Sequence, residues 1–390
     1  MGWRVESVVD QRVKFVHEVS DGGYPISSLC EEYGISRQTG YKWLRRYREG
    51  GVQGMGNRSR RPQVMPRRIS ESVRERILSL RFRTGWGARK VLKVLGRRHP
   101  REEFPVRSTV NEMFRRAGLV KRRRSRSVAG PHPGRPGAVP TSPNELWTTD
   151  FKGQFKTGDG LYCYPLTIAD SASRFILAVQ ALPSTKGSLA LPIFERTFRR
   201  YGLPKTIRSD NGVPFASTGL ARLSDLSVYF MKLDISIELI EPGHPEQNGI
   251  HERMHKSLKA RLLKKPAASL RAQQRGFNEF VREFNEERPH EALDDETPAS
   301  RYEPSRRPYP DRIVEFEYPS RFEVRRVSRN NGVRWKGEWV NVSAPLAEEI
   351  VAFEEVDDGI WNVYFRRFLI ARFRERTGAL SGMPVPIAKL

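Results

Sequence analysis

Three blocks of different character divide the 390-residue chain. Together they predict a multidomain protein with all-α modules at the N-terminus, an α/β core in the middle and a small β-barrel at the C-terminus. Apolar residues at helical spacing, broken by glycine turns, dominate residues 1–120. Strand-like runs alternating with helices fill residues 146–305, and short strands with Asn-Gly and Asp-Gly turns fill 315–378. The chain is too long for one ordinary core. A hydrophobic share of 38%, with seven Trp and twenty Phe, is enough to build several.

Charge is unevenly spread. The chain carries 69 basic and 45 acidic residues, a net +24, of which residues 1–140 supply 32 basic and 12 acidic, or +20. An arginine-rich excess interleaved with Trp and Tyr fits a polyanionic partner. The two cysteines, Cys30 and Cys163, exclude a disulfide framework, and no Cys/His cluster has zinc spacing. A reducing compartment is expected. The first ten residues do not read as a signal peptide, and no run approaches eighteen apolar residues, so no membrane partner is expected.

The first block reads as three helices. Residues 7–19 carry Val8, Val9, Val13, Phe15 and Val16; a short helix follows Pro25; a third, at 37–49, carries Tyr41, Leu44 and Tyr47 on one side. Between the second and third lies Gly34-Ile35-Ser36, a tight turn whose Ser36 suits a helix start. This is the helix-turn-helix pattern, placed at residues 1–50. Arg37, Gln38 and Thr39 would meet base edges, with Lys42, Arg45 and Arg46 on phosphates. A basic linker, 51–70, includes Arg58-Ser59-Arg60-Arg61-Pro62, suited to a minor groove or to a flexible spacer.

Residues 71–120 repeat the plan. Val73, Ile77 and Leu80 mark one helix, Gly85-Trp86-Gly87 a break, and Val91, Leu92 and Leu95 a second helix. A third opens with Arg107, Ser108, Thr109 and Asn111, the expected DNA contacts of a second helix-turn-helix domain. A basic and then Pro/Gly-rich linker occupies 121–145.

The central block opens with three partly alternating strands at 147–155, 161–169 and 174–182. A helix at 187–201, a short strand at 206–209, a helix at 223–233 and a strand at 235–240 follow, and a long helix begins near Pro245. Three antiparallel strands followed by alternating helices and strands fit the ribonuclease-H-like fold. Asp150 ends the first strand and Asp210 follows the fourth. Glu252 rides on the long helix, whose Ile250, Met254 and Leu258 would pack on the sheet while Glu252, Lys256 and Lys259 share the adjacent face. Hard divalent cations take oxygen ligands, so two or three carboxylates suffice for a phosphoryl-transfer site. Asp159 and Asp170 read as turn residues. His244 and His251 would contact DNA or order the loop, and His255 would contact phosphate.

The wording around these acids is distinctive. Leu146-Trp147-Thr148-Thr149-Asp150, Ser209-Asp210-Asn211-Gly212 and Gln247-Asn248-Gly249 ahead of His251-Glu252-Arg253 resemble the integrase-type DDE transposases of bacterial insertion sequences, whose core is similar to retroviral integrase. Asn285-Glu286-Glu287-Arg288-Pro289-His290-Glu291-Ala292-Leu293, then Thr297-Pro298-Ala299 and Tyr302, look like the segment that follows the catalytic glutamate in that family. The resemblance implies Asp150, Asp210 and Glu252 as catalytic residues and ligands of two Mg2+ ions, with Mn2+ able to substitute. It also implies cleavage at element ends and strand transfer into target DNA.

One departure concerns spacing. Forty-one residues separate Asp210 from Glu252, whereas the 35 that separate Asp210 from Glu246 are the family's usual gap. Context selects Glu252, three residues after the glycine of Asn248-Gly249, with extra residues placed within 216–232. Glu246, beside Pro245, suits a helix's first turn.

Residues 146–305 are thus expected to form the catalytic core with its following helix, and 315–378 a barrel serving as a DNA-binding or multimerisation accessory. Arg325, Arg326, Arg366 and Arg367 suit phosphates there. The expected partners are double-stranded DNA, both element ends and target, and further copies of the chain on that DNA. The expected location is the bacterial cytoplasm, at the nucleoid. A DNA-binding regulator with an inactive core is the main rival reading, opposed by the intact acids. A simple nuclease of the ribonuclease H kind is opposed by the tandem helix-turn-helix units.

Overall fold

A computed structural model of the chain describes residues 6–59, 69–120, 140–241, 245–263 and 265–388. It divides into two compact units, Met1–Ile69 and Ser70–Leu390. No helix among the described residues is long and apolar enough to cross a membrane.

The first unit holds α1 (Val8–Ser20), α2 (Ile26–Glu32) and α3 (Arg37–Gly50). Ser7 and Asp10 cap α1 reciprocally, and Ser36 accepts the Thr39 N–H at the start of α3. Phe15, Val16, Leu29, Cys30, Trp43, Leu44 and Met55 form the core. The buried side of α3 is therefore Gly40, Trp43 and Leu44, while Tyr41, expected on the apolar side, is 59% exposed. A Cβ on Gly40 would stand 2.7 Å from Cys30 Sγ, so glycine is what lets α3 cross α2 this closely. The basic tract from Arg60 to residue 68 and the linker over 121–139 lie outside the described residues.

In the second unit, α4 (Glu71–Thr84), α5 (Ala88–Arg98) and α6 (Arg107–Arg116) pack through Val73, Ile77, Leu80, Val91, Leu95, Val110 and Phe114. Gly85, left-handed at φ 71°, ends α4 by donating its N–H to Arg81 O.

The central sheet runs β2-β3-β1-β5-β6 with β4 on the far side of β3. Its strands are β1 (Leu146–Phe151), β2 (Phe155–Lys156), β3 (Tyr162–Asp170), β4 (Ile176–Leu182), β5 (Thr206–Ser209) and β6 (Ser236–Leu239). β1, β3 and β4 are antiparallel, whereas β5 and β6 continue parallel to β1. β4 sends side chains to two cores, its alternation shifted by a β-bulge where Leu177 is extra between the Ala169–Ile176 and Ile168–Ala178 pairs. Leu177 and Leu182 meet Phe194, Phe198 and Phe230 of α7 (Gly187–Tyr201) and α8 (Asp225–Lys232). Ile176, Val179 and Ala181 meet α9 (Gly249–Leu258) and α10 (Leu270–Arg282) through Met254, Leu258, Phe277 and Phe280.

The C-terminal strands form an open five-stranded sheet, β13-β12-β11-β10-β7, beside a two-stranded hairpin, β8-β9. They are β7 (Glu323–Arg326), β8 (Gly332–Trp335), β9 (Glu338–Asn341), β10 (Ile350–Asp357), β11 (Ile360–Phe365), β12 (Phe368–Arg374) and β13 (Ala379–Ala388). β7 and β13 are unpaired edges, so the expected barrel is not closed among the described residues. Closure is replaced by packing on the core: Trp335, Phe353 and Phe373 share one apolar cluster with Phe230 and Met231. Arg366 and Arg367, expected on phosphates, are half-buried and already engaged within the chain. Arg367 pairs with Asp234, and Arg366 donates to Val314 O.

Candidate functional site

Parallel pairing of β1 with β5 matches Leu146 with Thr206, Trp147 with Ile207 and Thr148 with Arg208. Two residues further along each chain come Asp150 and Asp210, which the register sets level. Asp210 Oδ1 accepts the Gly212 N–H at 3.1 Å, and a Cβ on Gly212 would stand 3.3 Å from that carboxylate, so glycine keeps the turn tight. Asn211 reaches Ile240 O at 2.6 Å and accepts from Arg222 at 2.6 Å. Arg222 ends the turn Leu220–Arg222, inside the stretch assigned extra residues. That turn packs against β13, where Gly382 runs beside Ala221. Arg208 is buried, paired with Glu238 at 2.7 Å and donating to Gln247 O at 3.1 Å. It thereby ties β5 to β6 and to the turn ahead of α9.

Helix α9 is fastened to the sheet by a buried polar network. His251 Nδ1 lies 2.9 Å from Thr148 Oγ1, and its Nε2 lies 2.6 Å from Thr167 Oγ1. The same hydroxyl meets His255 Nε2 at 2.8 Å and donates to Asp150 O at 2.8 Å. His255 Nδ1 is 3.4 Å from Asp150 Oδ2. Burial holds both rings neutral, pushing His251 down to about 3 and His255 down to about 2. His255 is thus not an exposed phosphate contact, and His251 orders the helix rather than facing DNA. His244 lies outside the described residues.

Asp150 is pushed up to about 7, by burial first, then by the negative charge of Asp210, with Glu252 adding to it and Lys152 opposing. Carboxylate oxygens are the ligand type that a hard divalent cation takes. Asp150, His251 and His255 also place ligand-type atoms within 4.8 Å of one another. Both nitrogens of His251 already face threonine hydroxyls, which leaves Asp150 and His255 the better placed of these three. Asp170 lies apart from this function: its carboxylate accepts from Ser173 N at 2.7 Å, Ser173 Oγ at 2.6 Å and Asn144 N at 2.8 Å.

The chain matches the family described as Integrase core domain over residues 140–245, and a second family so described over 233–298. The chain carries an integrase core. Ahead of it, residues 11–63 match a helix-turn-helix domain and 39–114 a homeodomain-like domain. The uncharacterized 31.7 kDa protein of insertion element IS407 from Burkholderia multivorans is 26% identical over 186 residues, covering 47% of this chain and 64% of that protein. The Gag-Pol polyprotein of baboon endogenous virus is 34% identical over 125 residues, 31% of this chain and 7% of the polyprotein. The chain thus spans just under two thirds of the one and a small part of the other. These matches support the resemblance to integrase-type transposases of insertion sequences. The HTLV-2 integrase catalytic core domain, solved in complex with magnesium, aligns over 42% of this chain and 98% of that one, at 17% identity and a TM-score of 0.33.

Within the integrase core, Glu252, Lys256 and Lys259 are exposed, while His251, Met254, His255 and Leu258 make the buried side of α9. Ile250, expected with the apolar stripe, is half-buried. Glu246 sits in the turn Pro245–Asn248, and its side chain lies outside the described residues. On α3, Arg37, Gln38, Lys42 and Arg45 are exposed, and Thr39 turns back to Ser36 Oγ at 3.0 Å. Lys42 and Arg46 lie over the Trp43 ring at 5.2 and 4.9 Å. On α6, Arg107, Ser108 and Asn111 are exposed and Thr109 is half-buried.

The integrase core and the α4–α6 bundle are joined by arginines. Arg89 pairs with Glu291 at 2.6 Å and Asp295 at 2.9 Å, Arg97 with Glu296 at 3.1 Å and Arg98 with Glu287 at 2.6 Å. The sequence reading found neither this seam nor the histidine–threonine network. The i, i+4 spacing of His251 and His255, in phase with Met254 and Leu258, was the available signal for the network.

Proposed function

We propose that the protein is a DNA transposase whose integrase core cuts the ends of a mobile element and joins them to target DNA, with Asp150, Asp210 and Glu252 as its catalytic carboxylates. What supports this reading is that the β1–β5 register sets Asp150 level with Asp210, and that the charge of Glu252 on α9 bears on Asp150. The influence of Glu252 on Asp150 supports its place as the third acid. These three would hold Mg2+ or Mn2+, two ions as the resemblance implies. Bound there, such ions ease deprotonation of the attacking hydroxyl and offset charge building on the phosphodiester.

The chain's own residues do the rest. The His251–Thr148 and His255–Thr167 contacts fix α9, and with it Glu252, against β1 and β3. Lys256 and Lys259, exposed on α9 and just after it, would take the phosphates flanking the scissile bond. Arg37, Gln38 and Thr39 of α3, with Arg107, Ser108, Thr109 and Asn111 of α6, would read the element end, with Lys42, Arg45 and Arg46 on its backbone. Two ends must meet, so the working form is at least a dimer on DNA, with the C-terminal sheet as an accessory surface.

The test is a labelled element-end duplex incubated with plasmid and Mg2+. Wild type should nick and join the end. Asp150→Asn and Asp210→Asn should each abolish both steps while binding the duplex as before. A wild-type chain that binds the end but neither cuts nor joins it, in Mg2+ or Mn2+, would instead be a DNA-binding regulator.

A further inference from the structure

On the side of α9 away from Glu252, a half-enclosed cavity of about 270 Å3 lies between α5, the end of β3 and the segment after α10. Its wall carries Lys90, Arg174, Arg253 and Arg288 against only two acids, Asp170 and Glu291. Both acids are already engaged, Asp170 by Ser173 and Asn144, Glu291 by Arg89.

Three wall groups lack what they need. Lys90 makes no hydrogen bond or close ion pair among the described residues. Burial and then the charge of Arg288 push it down to about 8, while the charges of Asp295 and Glu291 oppose them without bonding it. Arg288 lies 5.1 Å over the Phe284 ring, and its buried Nε has no hydrogen-bond partner. His290 is held neutral by burial and bonds the Phe284 backbone, which leaves its buried Nε2 as a lone pair with no donor.

A plain anion satisfies the two cations but repels that lone pair. A phosphate that retains an O–H satisfies all three, because its charged oxygens accept from Lys90 and Arg288 while its hydroxyl donates to His290 Nε2. A DNA phosphodiester or a sulfate has no such proton at neutral pH. We infer that this cavity is a binding site for a protonated phosphate, either inorganic hydrogen phosphate or a terminal phosphate monoester, which links α5 to the integrase core across the face of α9 opposite the carboxylates. The inference does not depend on whether the core cuts DNA.

Calorimetric titration of the full chain at pH 7 and constant ionic strength tests it, with inorganic phosphate, dAMP, sulfate and dimethyl phosphate as probes. Phosphate or dAMP should bind more than tenfold tighter than sulfate or dimethyl phosphate, phosphate alone pointing to the free ion and dAMP to a nucleotide terminus. Lys90→Met should weaken binding more than tenfold. His290→Phe should instead remove the preference over sulfate, and circular dichroism would verify that both variants are folded. No heat from phosphate or dAMP at millimolar concentration, equal affinity for all four probes, or binding unchanged in folded Lys90→Met would each overturn the inference.

Discussion

Thr167→Val is the most revealing single change in the core. The Thr167 hydroxyl has one proton, donated to Asp150 O at 2.8 Å, so His251 and His255 must both donate to it through Nε2, at 2.6 and 2.8 Å. Valine nearly matches threonine in volume but accepts nothing, leaving two buried imidazole N–H groups unsatisfied. At roughly 1–2 kcal/mol for each, the second unit loses about 2–4 kcal/mol. For a unit as long as Ser70–Leu390 that corresponds to a fall in Tm of roughly 3–6 °C. Scanning calorimetry of the full chain should show the transition of Ser70–Leu390 moving and that of Met1–Ile69 staying in place. Thr167→Ser should recover most of the loss. A Thr167→Val chain that melts within about 2 °C of wild type would refute the claim that this network fixes α9.

Further expectations follow from the same geometry. His251, His255 and His290 have folded values near 3, 2 and 3, below the ordinary imidazole value of about 6.5. Their contribution is therefore full above about pH 6.5 and lost as pH falls toward the folded values, so the Tm of the second unit should drop steadily between about pH 6.5 and 4. A level profile there contradicts their burial as neutral rings. Asp150, raised to about 7, has the opposite sign: its contribution is present in acid and lost as pH rises through that value. Mg2+ should accordingly raise Tm more at pH 8 than at pH 6, and equal shifts would count against Asp150 as a ligand. Arg208→Ala removes one partner of a buried pair and unties Gln247, a loss of about 3–5 kcal/mol, and should abolish joining while end binding persists. Gly40→Ala should destabilise the first unit by roughly 1–3 kcal/mol and weaken end binding, without moving the second unit's transition in calorimetry.

Legibility in the sequence followed the range of the interactions. α7 and β5 begin and end where the sequence placed them, because α7 buries one helical face and β5 is a short run covered on both faces. β13 escaped notice because Pro384 and Pro386 argue against a strand. The structure tolerates them at the sheet's edge, where a missing N–H leaves no ladder partner wanting. The barrel reading failed for a related reason: strand count and turn residues were visible, but whether β7 meets β13 is a long-range matter that alternation does not encode. Asp150, Asp210 and Glu252 stood out through their flanking residues. His251 and His255 read as surface histidines because a helix face mixing Met, Leu and His looks only partly apolar. The arginine seam joins residues about two hundred apart, and no local pattern announces it.

The measurement closest to the central claim compares Glu252→Gln with Glu246→Gln in strand transfer of the labelled element end with Mg2+. Glutamine keeps each side chain's size while removing its charge. Glu252→Gln should bind the end normally and join none of it, while Glu246→Gln joins as wild type does. Loss of joining in Glu246→Gln with Glu252→Gln still active would contradict the account of α9 and of the site it completes.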